Sequence, residues 1–490
     1  MNEPTQIRNP SITLYPFHLR NDRDEGYQQP AKNAEHIWQN LADNVGEKFK
    51  FPELKSLKNK LICYQNGQYY AAGEDASLKY QILIKNRQTL SFNPITQPDR
   101  PKLDGSIEPI RIHDTYSADL TFYYDNATIS VADLKQLNPQ GCLLPNQIQA
   151  SIGQTLLLYA EPVVSDGYSA LADKCVRAFV GESIWPELTI TATGKLFGSP
   201  IFEYDNPAKK CHILVWLTQN PQFSALVTTD FNYYLINLLY NRSKVLFVYN
   251  QAEQSYRLGQ QIASKLEKLL PEFTKIEVQA NREVKLTQLK SLLAAISSLV
   301  FEYAQELRHL REFSITTDIN AENYAQNYAK IKALSIAGDD LQFLQKFRRL
   351  SDRKYQSQIQ KYLNYLIANQ DLFQQTISRI SSMVAIEQVE LDAEQEKDEK
   401  KRDRQLENII FFVGTAIGGG QIFSAAYPLI KDTPIKWQPD SSLPLHPFTA
   451  TIIWSLVFGI LFGLLILPIL PLARKILPKI LPLLRKILPW

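Results

Sequence analysis

The spacing of apolar residues changes twice along this 490-residue chain. Up to about residue 280, short apolar runs alternate with helical segments, which predicts a mixed α/β region with helices on the faces of a layered sheet. The runs with strand character are 11–20, 118–125, 212–218, 244–250 and 275–279; the helical segments are 230–242 and 252–270, the second closed by Pro271. The pattern leaves open whether residues 1–194 form a domain separate from 195–280.

After residue 280 the apolar residues recur at the three- and four-residue spacing of an α-helix. The segment 281–338 predicts an antiparallel helical pair, with a short break at 314–318 between its helices and Gly338 at its end. The same spacing fits a bundle within one chain and a coiled coil between subunits equally well.

A further helix begins near Asp339 and meets no proline or glycine before Gly414. We predict a stalk over 339–407, with Gln370 and Glu387 at polar positions of its apolar face. If the stalk continues through the apolar run that follows, the helix covers about 90 residues, on the order of 135 Å.

Two long uncharged runs follow the stalk, and each can cross a membrane. Asn408 to Ile430 has 23 residues and Phe448 to Leu472 has 25, and a span of roughly 30 Å needs about 20 residues. Only 17 residues, 431–447, separate the runs, so we expect a hairpin with this connection as an external loop. The expected fold is an α/β cytosolic domain, a long coiled-coil-like helical stalk and a two-helix transmembrane hairpin.

Lysine and arginine set the expected orientation. Five basic residues lie just before the first run, five follow the second, and the 431–447 loop holds two lysines and two aspartates. The positive-inside rule then puts both termini in the cytoplasm. The basic tail, 473–490, suits the lipid headgroup layer, although a low-complexity tail that only enforces topology fits the same composition. The candidate headgroup residues are Arg474, Lys475, Lys479, Arg485, Lys486 and Trp490.

Small residues organise both apolar runs. They form one row in each run, and small residues let helix backbones approach closely where no hydrophobic effect drives association. We therefore predict that the two rows pack together, with Gln421 hydrogen-bonded at the seam. The predicted packing residues are Gly414, Gly418, Gln421, Ala425, Ser455, Gly459 and Gly463.

A second face of the first run lies about 100° from its small-residue row. It combines amide, hydroxyl, small and apolar side chains, so several copies around an axis would line a narrow pore with it. The pore-lining candidates are Asn408, Thr415, Gly419, Ile422 and Ala426. Neither run contains an acidic or basic side chain, which argues against a proton relay or a charge-coupled carrier.

Composition excludes several other classes of protein. The net charge is only +3, so we expect no nucleic-acid partner. Four widely spaced cysteines without a CxxC pair argue against a zinc site and a disulfide framework, and they predict buried thiols in a reducing compartment.

No catalytic motif is found. Gly194-Lys195 lacks the other residues of a phosphate-binding loop. The pairs His113-Asp114 and Cys211-His212 lie on strand-like segments, where neighbours point to opposite faces, and we interpret them as structural. We therefore expect no enzyme activity, no metal site and no cofactor.

The order of the segments resembles the CorA-type magnesium and divalent cation channel superfamily. The resemblance covers about residues 195–490: an α/β domain, a helical pair, a stalk helix that becomes the first span, a short loop, a second span and a basic tail. It implies a homo-oligomer, pentameric in the family, whose first span lines the pore. The family's Gly-Met-Asn signature is absent, because Ser424 to Pro428 stands in its place and the only methionines are Met1 and Met383.

Two functions stay open from the sequence. The first is a CorA-like ion channel or transporter, in which the stalk carries a change in a cytosolic sensor domain to the pore. The second is a membrane-anchored binding, scaffold or signalling protein whose hairpin only tethers it to lipid. A membrane-bound enzyme is the least favoured alternative. Each leaves room for a cytosolic small-molecule or protein ligand that the sequence does not identify.

Overall fold

A computed structural model shows that the chain divides into two units. Among the residues that the structure describes, the sheet unit contains those within 1–256 and 309–364, and the helical unit contains those within 257–308 and 365–395. The residues that the structure describes are 5–21, 29–75, 77–85, 89–96, 98, 100–163, 167–182, 188–220 and 222–395.

Twelve strands are found in the described part of the sheet unit. They are β1 (Gln6–Leu19), β2 (Tyr64–Gln65), β3 (Gln68–Tyr69), β4 (Tyr80–Ile82), β5 (Leu90–Ser91), β6 (Leu103–Ile112), β7 (Thr115–Tyr124), β8 (Thr128–Ser130), β9 (Gly153–Pro162), β10 (Ile190–Leu196), β11 (Ser199–Asn206) and β12 (Cys211–Leu217). Strands β2 and β3 form a separate hairpin. The others form one sheet in the order β10-β11-β12-β9-β1-β7-β6-β4, with β5 beside β6 and β8 beside β1.

The strands predicted at 11–20, 118–125 and 212–218 are confirmed as parts of β1, β7 and β12. All seven residues of β12 are buried, because the sheet is covered on both faces, and this explains its unbroken apolar run. Strand β12 pairs in parallel with β9, and the other pairings are antiparallel. Residues before and after 194 therefore share one sheet, and the proposed boundary at 194/195 falls inside β10.

The helices form layers on the two faces of this sheet. They are α1 (His36–Gln39), α2 (Gly46–Phe49), α3 (Pro52–Lys55), α4 (Leu57–Lys60), α5 (Pro145–Ile148), α6 (Tyr168–Val180), α7 (Phe223–Leu226), α8 (Thr229–Glu277), α9 (Arg282–Leu334), α10 (Gln342–Leu350) and α11 (Ser357–Gln395). Helices α1 to α6 pack with one sheet face in a core that includes Leu14 and Phe122. The sheet-unit parts of α8 to α11 pack on the other face, around Phe17, Trp216 and Phe231.

Helix α8 corrects three predictions. It runs unbroken through 244–250 and 275–277, so the predicted strands there are wrong, and it continues past Pro271. The run at 244–250 is apolar because Val245 and Val248 are buried on a helix, and a short apolar run cannot by itself separate a buried strand from a buried helix. Phe273, two residues beyond the proline, is buried in the helical unit, so packing favours continuation of the helix.

Helix α9 is a single helix, Arg282–Leu334. The antiparallel helical pair predicted over 281–338 is therefore wrong. Residues 314–318 are helical, although β-branched residues have low helix propensity. Ser314 and Thr317 are buried, and Thr316 bonds the Glu312 carbonyl through its hydroxyl at 2.8 Å. Tertiary packing therefore overrides local propensity, and the chain turns only after Leu334.

The helix predicted to start near Asp339 is present as two helices joined by a π-helical segment. Helix α10 is followed by Ser351–Gln356 and then by α11, which is helical up to the last described residue, Gln395. The remainder of the predicted stalk, 396–407, lies outside the described residues, as do both apolar runs and the tail.

The helical unit is built from the end of α8, the beginning of α9 and most of α11. Arg282 and Lys285 of α9 pair with Glu390 and Glu387 of α11, so these two helices are antiparallel. Contacts of Gly259 with Leu366 and of Glu277 with Arg379 show that α8 and α11 run in the same direction.

One described helix, α9, is long and apolar enough to cross a membrane. Its most apolar stretch contributes Leu289, Leu293 and Ile296 to the buried interior of the helical unit. Part of its apolar character is therefore explained by packing between helices.

Candidate functional site

The residues predicted from sequence to line a pore, to pack the hairpin or to contact lipid headgroups all lie between 408 and 490. That segment is outside the described residues. The geometry of the described part instead defines three features: an ion network between sheet and helices, a basic cavity, and an exposed apolar stripe on α11.

Four ionisable side chains meet where the sheet contacts α8. Arg242 on α8 lies 2.6 Å from Asp205 through Nη2 and 3.7 Å from Glu203 Oε1 through Nε. His212 on β12 approaches the same Glu203 oxygen to 3.1 Å through Nε2. We call Glu203, Asp205, His212 and Arg242 the junction network.

The junction network connects five secondary-structure elements. His212 Nδ1 lies 2.9 Å from the Thr155 hydroxyl on β9, and the Arg242 guanidinium lies 5.2 Å from the centre of the Phe347 ring on α10. Arg242 and His212 are both buried, so the interactions between these charges are poorly screened by solvent. Displacement of α8 relative to β11 and β12 would break buried ionic contacts, and displacement of α10 would remove the Phe347 ring from Arg242.

The protonation states in the junction network follow from burial and charge. Burial lowers the pKa of His212, and the charge of Arg242 lowers it further, so the ring is neutral at pH 7. Its Nε2–H then donates to Glu203, and Nδ1 accepts from the Thr155 hydroxyl. Burial opposes the ionisation of Glu203, but the hydrogen bond from His212 and the charge of Arg242 outweigh burial and lower the pKa of Glu203.

A second ion pair fixes α8 to the turn between β6 and β7. Lys244 Nζ lies 2.6 Å from Asp114 Oδ2, and the Tyr240 hydroxyl donates to Oδ1 of the same carboxylate at 3.3 Å. Burial opposes the ionisation of Asp114, but the charge and hydrogen bond of Lys244 outweigh it and lower the pKa of Asp114. Asp114 thus has a structural partner on α8.

The loop after α9 is held against the β10–β11 hairpin. The Asp339 carboxylate accepts hydrogen bonds from the backbone N–H groups of Phe197 and Gly198, each at 2.8 Å. Lys195 and Asp340 exchange two backbone hydrogen bonds of 2.8 Å. A Cβ atom on Gly194 would lie 2.6 Å from the Asp340 oxygen and would overlap the Phe343 ring. The Gly194-Lys195 pair therefore serves close backbone packing.

A cavity of about 680 Å³ lies on the opposite side of the sheet unit, between α2, the 135–141 turn and the end of α6. Lys48, Lys50, Arg100 and Lys135 line it, and the described residues of its wall include no carboxylate. No sequence pattern indicated this cavity, because its cations come from three distant parts of the chain: Lys48 and Lys50, Arg100, and Lys135.

Helix α11 has two apolar stripes. The apolar face predicted for the stalk is buried; we call it the inner stripe, and it consists of Ile359, Leu363, Leu366, Phe373, Ile377, Ile380, Val384 and Leu391. A second stripe, which the sequence reasoning missed, consists of Tyr365, Leu372, Ile386 and Val389, with exposures of 67%, 49%, 55% and 67%. We call these four residues the outer stripe. Tyr365, Leu372 and Ile386 are separated by multiples of seven residues, the repeat of helices that pack along a shared seam.

The four cysteines are buried, as predicted, and each is a free thiol. Burial raises the pKa of Cys142, Cys175 and Cys211 to about 12, so these thiols stay neutral and unreactive at pH 7. Within the described ranges, no group of three or more His, Cys, Asp or Glu side chains is arranged to hold a metal ion.

Comparison with known proteins gives no match to any family model, curated protein or solved structure.

Proposed function

We propose that this chain is an oligomeric membrane protein of CorA-like organisation, in which a cytosolic α/β domain controls an ion path through the membrane. The sheet unit is the sensor, and α11 leads from it toward the two apolar runs, 408–430 and 448–472. Both termini and the sheet unit are on the cytoplasmic side, and 431–447 is the external loop.

The observation that carries this proposal is the pair of stripes on α11. The inner stripe is used within the chain, whereas Leu372, Ile386 and Val389 of the outer stripe are exposed, so these three side chains can contact a second copy. The exposed apolar residues of the outer stripe recur at heptad spacing, with Arg379 at the intervening position, and exposed apolar residues at heptad spacing are typical of association between helices. Only 12 residues, 396–407, separate the end of α11 from the first apolar run, so association of the outer stripes would bring several first runs together.

The pore in this proposal is formed by one face of the first run from each subunit. Asn408, Thr415 and Ala426 lie on that face, and the small-residue rows join the first run to the second. Helices α8, α9 and α11 each contribute residues to both units. A rearrangement in the junction network could therefore be passed along three helices.

The second candidate is a membrane-anchored cytosolic binding or signalling protein that conducts no ions. The cavity of about 680 Å³ favours it, because this volume lies in the range of small-molecule sites. The absence of the Gly-Met-Asn signature also supports it.

Cation flux and oligomer mass separate the two candidates. We expect the purified protein in liposomes to pass cations above the rate of empty liposomes, and its mass in detergent to be that of an oligomer. Thr415→Leu should reduce flux, because it narrows the proposed pore face. Val413→Leu adds bulk to the same run outside the proposed pore and packing faces, so it should leave flux unchanged. A monomeric mass, or oligomers without flux, would exclude the channel and leave the anchored binding protein.

A further inference from the structure

Part of one sheet face carries only hydroxyl and carboxylate side chains. Strands β1, β7 and β6 are neighbours in the sheet, and their register places nine side chains in three rows on the face that also bears Phe17. In the order β1, β7, β6, the rows are Ser11, Tyr123 and Asp104; Thr13, Thr121 and Ser106; and Tyr15, Asp119 and Glu108. We call these nine residues the polar grid. None of its positions holds a lysine or an arginine.

The polar grid is the part of this face that the helices leave partly open. Ile110, the next residue of β6 on this face after Glu108, is fully buried in the core beneath the helices. Within the grid only Thr13 and Tyr15 are buried, and the other seven side chains are half-buried. The grid therefore presents oxygen atoms that a ligand can reach.

The grid carries negative charge that the protein does not neutralise. Glu108 and Asp119 are directly opposite on β6 and β7, where like charges destabilise a sheet. Glu108 accepts a hydrogen bond from the Thr89 hydroxyl at 3.1 Å, and Asp119 accepts one from the Thr121 hydroxyl at 3.0 Å. Among the described residues, no lysine or arginine forms an ion pair with Asp104, Glu108 or Asp119. Burial and the charge of Glu108 raise the pKa of Asp119 to about 6, and a bound cation would relieve this repulsion.

Two cations lie beyond the row of Asp104. Lys102 is exposed and precedes β6, and Arg8 is opposite Glu161 in the pairing of β1 with β9. Both are at the end of the grid away from the Glu108–Asp119 pair. They therefore leave the charge of this pair uncompensated.

Tyrosine rings border the Glu108–Asp119 end of the grid. The Tyr80 ring on β4 meets the Tyr233 ring on α8 edge to face, with centres 5.0 Å apart, and Tyr233 is 44% exposed. Burial and the charges of Glu108 and Asp119 raise the pKa of Tyr80, so the carboxylates act on this ring. Aromatic rings beside carboxylates suit an ammonium group, because the ring face attracts a cation.

The dimensions of the grid suit a small linear molecule. Asp104 and Glu108 are four residues apart on β6, on the order of 13 Å, and the three strands span about 10 Å. This surface is far smaller than the roughly 800 Å² that a stable protein partner covers on one side. Carboxylates at two ends with a hydroxyl row between them match an alkyl chain that carries an ammonium group at each end and an amine between.

We propose that the polar grid binds a linear alkyl polyamine. One terminal ammonium group donates hydrogen bonds to Glu108 and Asp119, and the other donates to Asp104. The hydroxyls of the middle row accept from the amine between them. Charge-assisted hydrogen bonds supply the affinity, and the Tyr80 and Tyr233 rings contact the first ammonium group. The inference goes beyond the proposed function and does not depend on ion conduction, because it concerns binding within the sheet unit.

Calorimetric titration of the full-length protein in an uncharged maltoside detergent tests the proposal with spermidine, a linear triamine, and with Mg²⁺. We expect saturable spermidine binding that is tighter than Mg²⁺ binding and weakens as salt is raised. Glu108→Gln should weaken spermidine binding at least about tenfold, because it removes a charge-assisted hydrogen bond. The thermal midpoint of this variant without ligand should not fall, because the substitution removes the repulsion between opposing carboxylates.

Asp104→Asn tests the length of the ligand. Putrescine, a shorter diamine, cannot reach from the Glu108–Asp119 pair to Asp104. The variant should therefore weaken spermidine binding by about tenfold and leave putrescine binding unchanged. Equal effects on the two amines would overturn the proposed contacts at both ends of the grid.

The matched control is Asp318→Asn, which removes one charge from an exposed carboxylate of the sheet unit outside the grid. Spermidine affinity should be unchanged in this control. Equal weakening by Glu108→Gln and Asp318→Asn, or Mg²⁺ binding as tight as that of spermidine, would mean general attraction of cations and would overturn the site. Absence of saturable binding would also overturn it.

An acetylated trilysine amide, which carries the same charge as spermidine, separates a polyamine from a basic protein partner. We expect this peptide to bind more weakly than spermidine, because the grid is short. Tighter binding of the peptide would assign the surface to a basic protein segment and would overturn the polyamine site.

Discussion

Lys285 of α9 and Glu387 of α11 form an ion pair of 2.6 Å inside the helical unit, with side-chain exposures of only 14% and 10%. Glu387 occupies a polar position in the otherwise apolar inner stripe, and Lys285 neutralises it there. The pair also fixes the antiparallel register of α9 and α11, because a shift of either helix would leave a charge in an apolar surrounding.

The first prediction concerns this pair. Lys285→Met alone should destabilise the protein by on the order of 3 kcal/mol, because it leaves the Glu387 carboxylate unpaired. The double variant Lys285→Met/Glu387→Leu should recover most of the loss, since both charges are removed together. Urea unfolding in detergent measures both variants. A double variant as unstable as the single one would mean that the pair is not coupled.

The outer stripe should hold the oligomer together. Leu372→Glu/Ile386→Glu places charges in the proposed seam between subunits, and a buried unpaired charge costs several kcal/mol. We expect the association constant to fall by about a hundredfold or more, measured as a shift to lower mass in detergent at dilute protein. Helical content should be unchanged, because these positions are exposed within one chain.

Ser298→Glu is the control for the outer stripe. Ser298 is an exposed residue of α9 in the same helical unit, and the substitution should not change the mass. A wild-type mass for the Leu372→Glu/Ile386→Glu variant would remove the observation on which the proposed assembly rests.

Gly194 should not tolerate any side chain. Gly194→Ala would force β10 away from the Asp340 backbone and the Phe343 ring, so we expect a loss of about 1–3 kcal/mol, visible as a lower thermal midpoint. Thr193→Ala, at the exposed neighbouring position, should change stability by less than about 0.5 kcal/mol. A stable Gly194→Ala protein would contradict the close contact of β10 with the loop after α9.

His212 should make the sheet unit sensitive to acid. Its pKa is lowered in the folded protein, so below its unfolded value of about 6.5 the unfolded chain binds more protons than the folded chain. The contribution of His212 to the free energy of unfolding is complete above pH 6.5. It is lost as the pH falls toward the pKa of the folded protein, at up to about 1.4 kcal/mol per pH unit.

His212→Gln removes this titration and can keep bonds to Glu203 and Thr155. Between pH 7.5 and 5.5, the wild type should therefore lose more stability than the variant, as measured by urea unfolding at each pH. Comparison with the variant is needed because other groups also titrate; burial raises the pKa of Asp119 to about 6, which acts in the opposite direction. Parallel pH profiles would mean that His212 does not titrate in this range.

The small-residue rows of the hairpin give the last prediction. Gly459→Leu should separate the two apolar runs and reduce the yield of assembled protein from membranes, because a bulky side chain prevents close helix approach. Leu456→Ile, which leaves the row intact, is the control. Assembly of the Gly459→Leu protein at the wild-type level would remove the proposed packing between the two rows.

Sequence periodicity was sufficient to predict an element where its pattern fits only one kind of secondary structure. The inner stripe of α11 was predicted from its spacing, because only a helix places residues three and four apart on one side. Strands β1, β7 and β12 were predicted from their composition and length. The buried state of the four cysteines was also predicted.

Periodicity did not predict the correct element where tertiary contacts decide between a helix and a strand, or between a helix and a break in it. The 244–250 run fits a buried strand as well as a buried helix, and its place on α8 against the sheet made it helical. The 314–318 segment has poor helix propensity, yet α9 continues through it because Ser314 and Thr317 are buried by the fold.

The sequence by itself determined the long helical segments after residue 280, the two uncharged runs that follow α11 and the absence of a familiar catalytic motif, because each is a property of neighbouring residues. Only the tertiary structure decided that residues on both sides of 194 share one sheet, that Glu203, His212 and Arg242 meet, and that Lys48, Arg100 and Lys135 surround one cavity. These groups come from distant parts of the chain, and the folding of the backbone alone brings their charges close enough to interact.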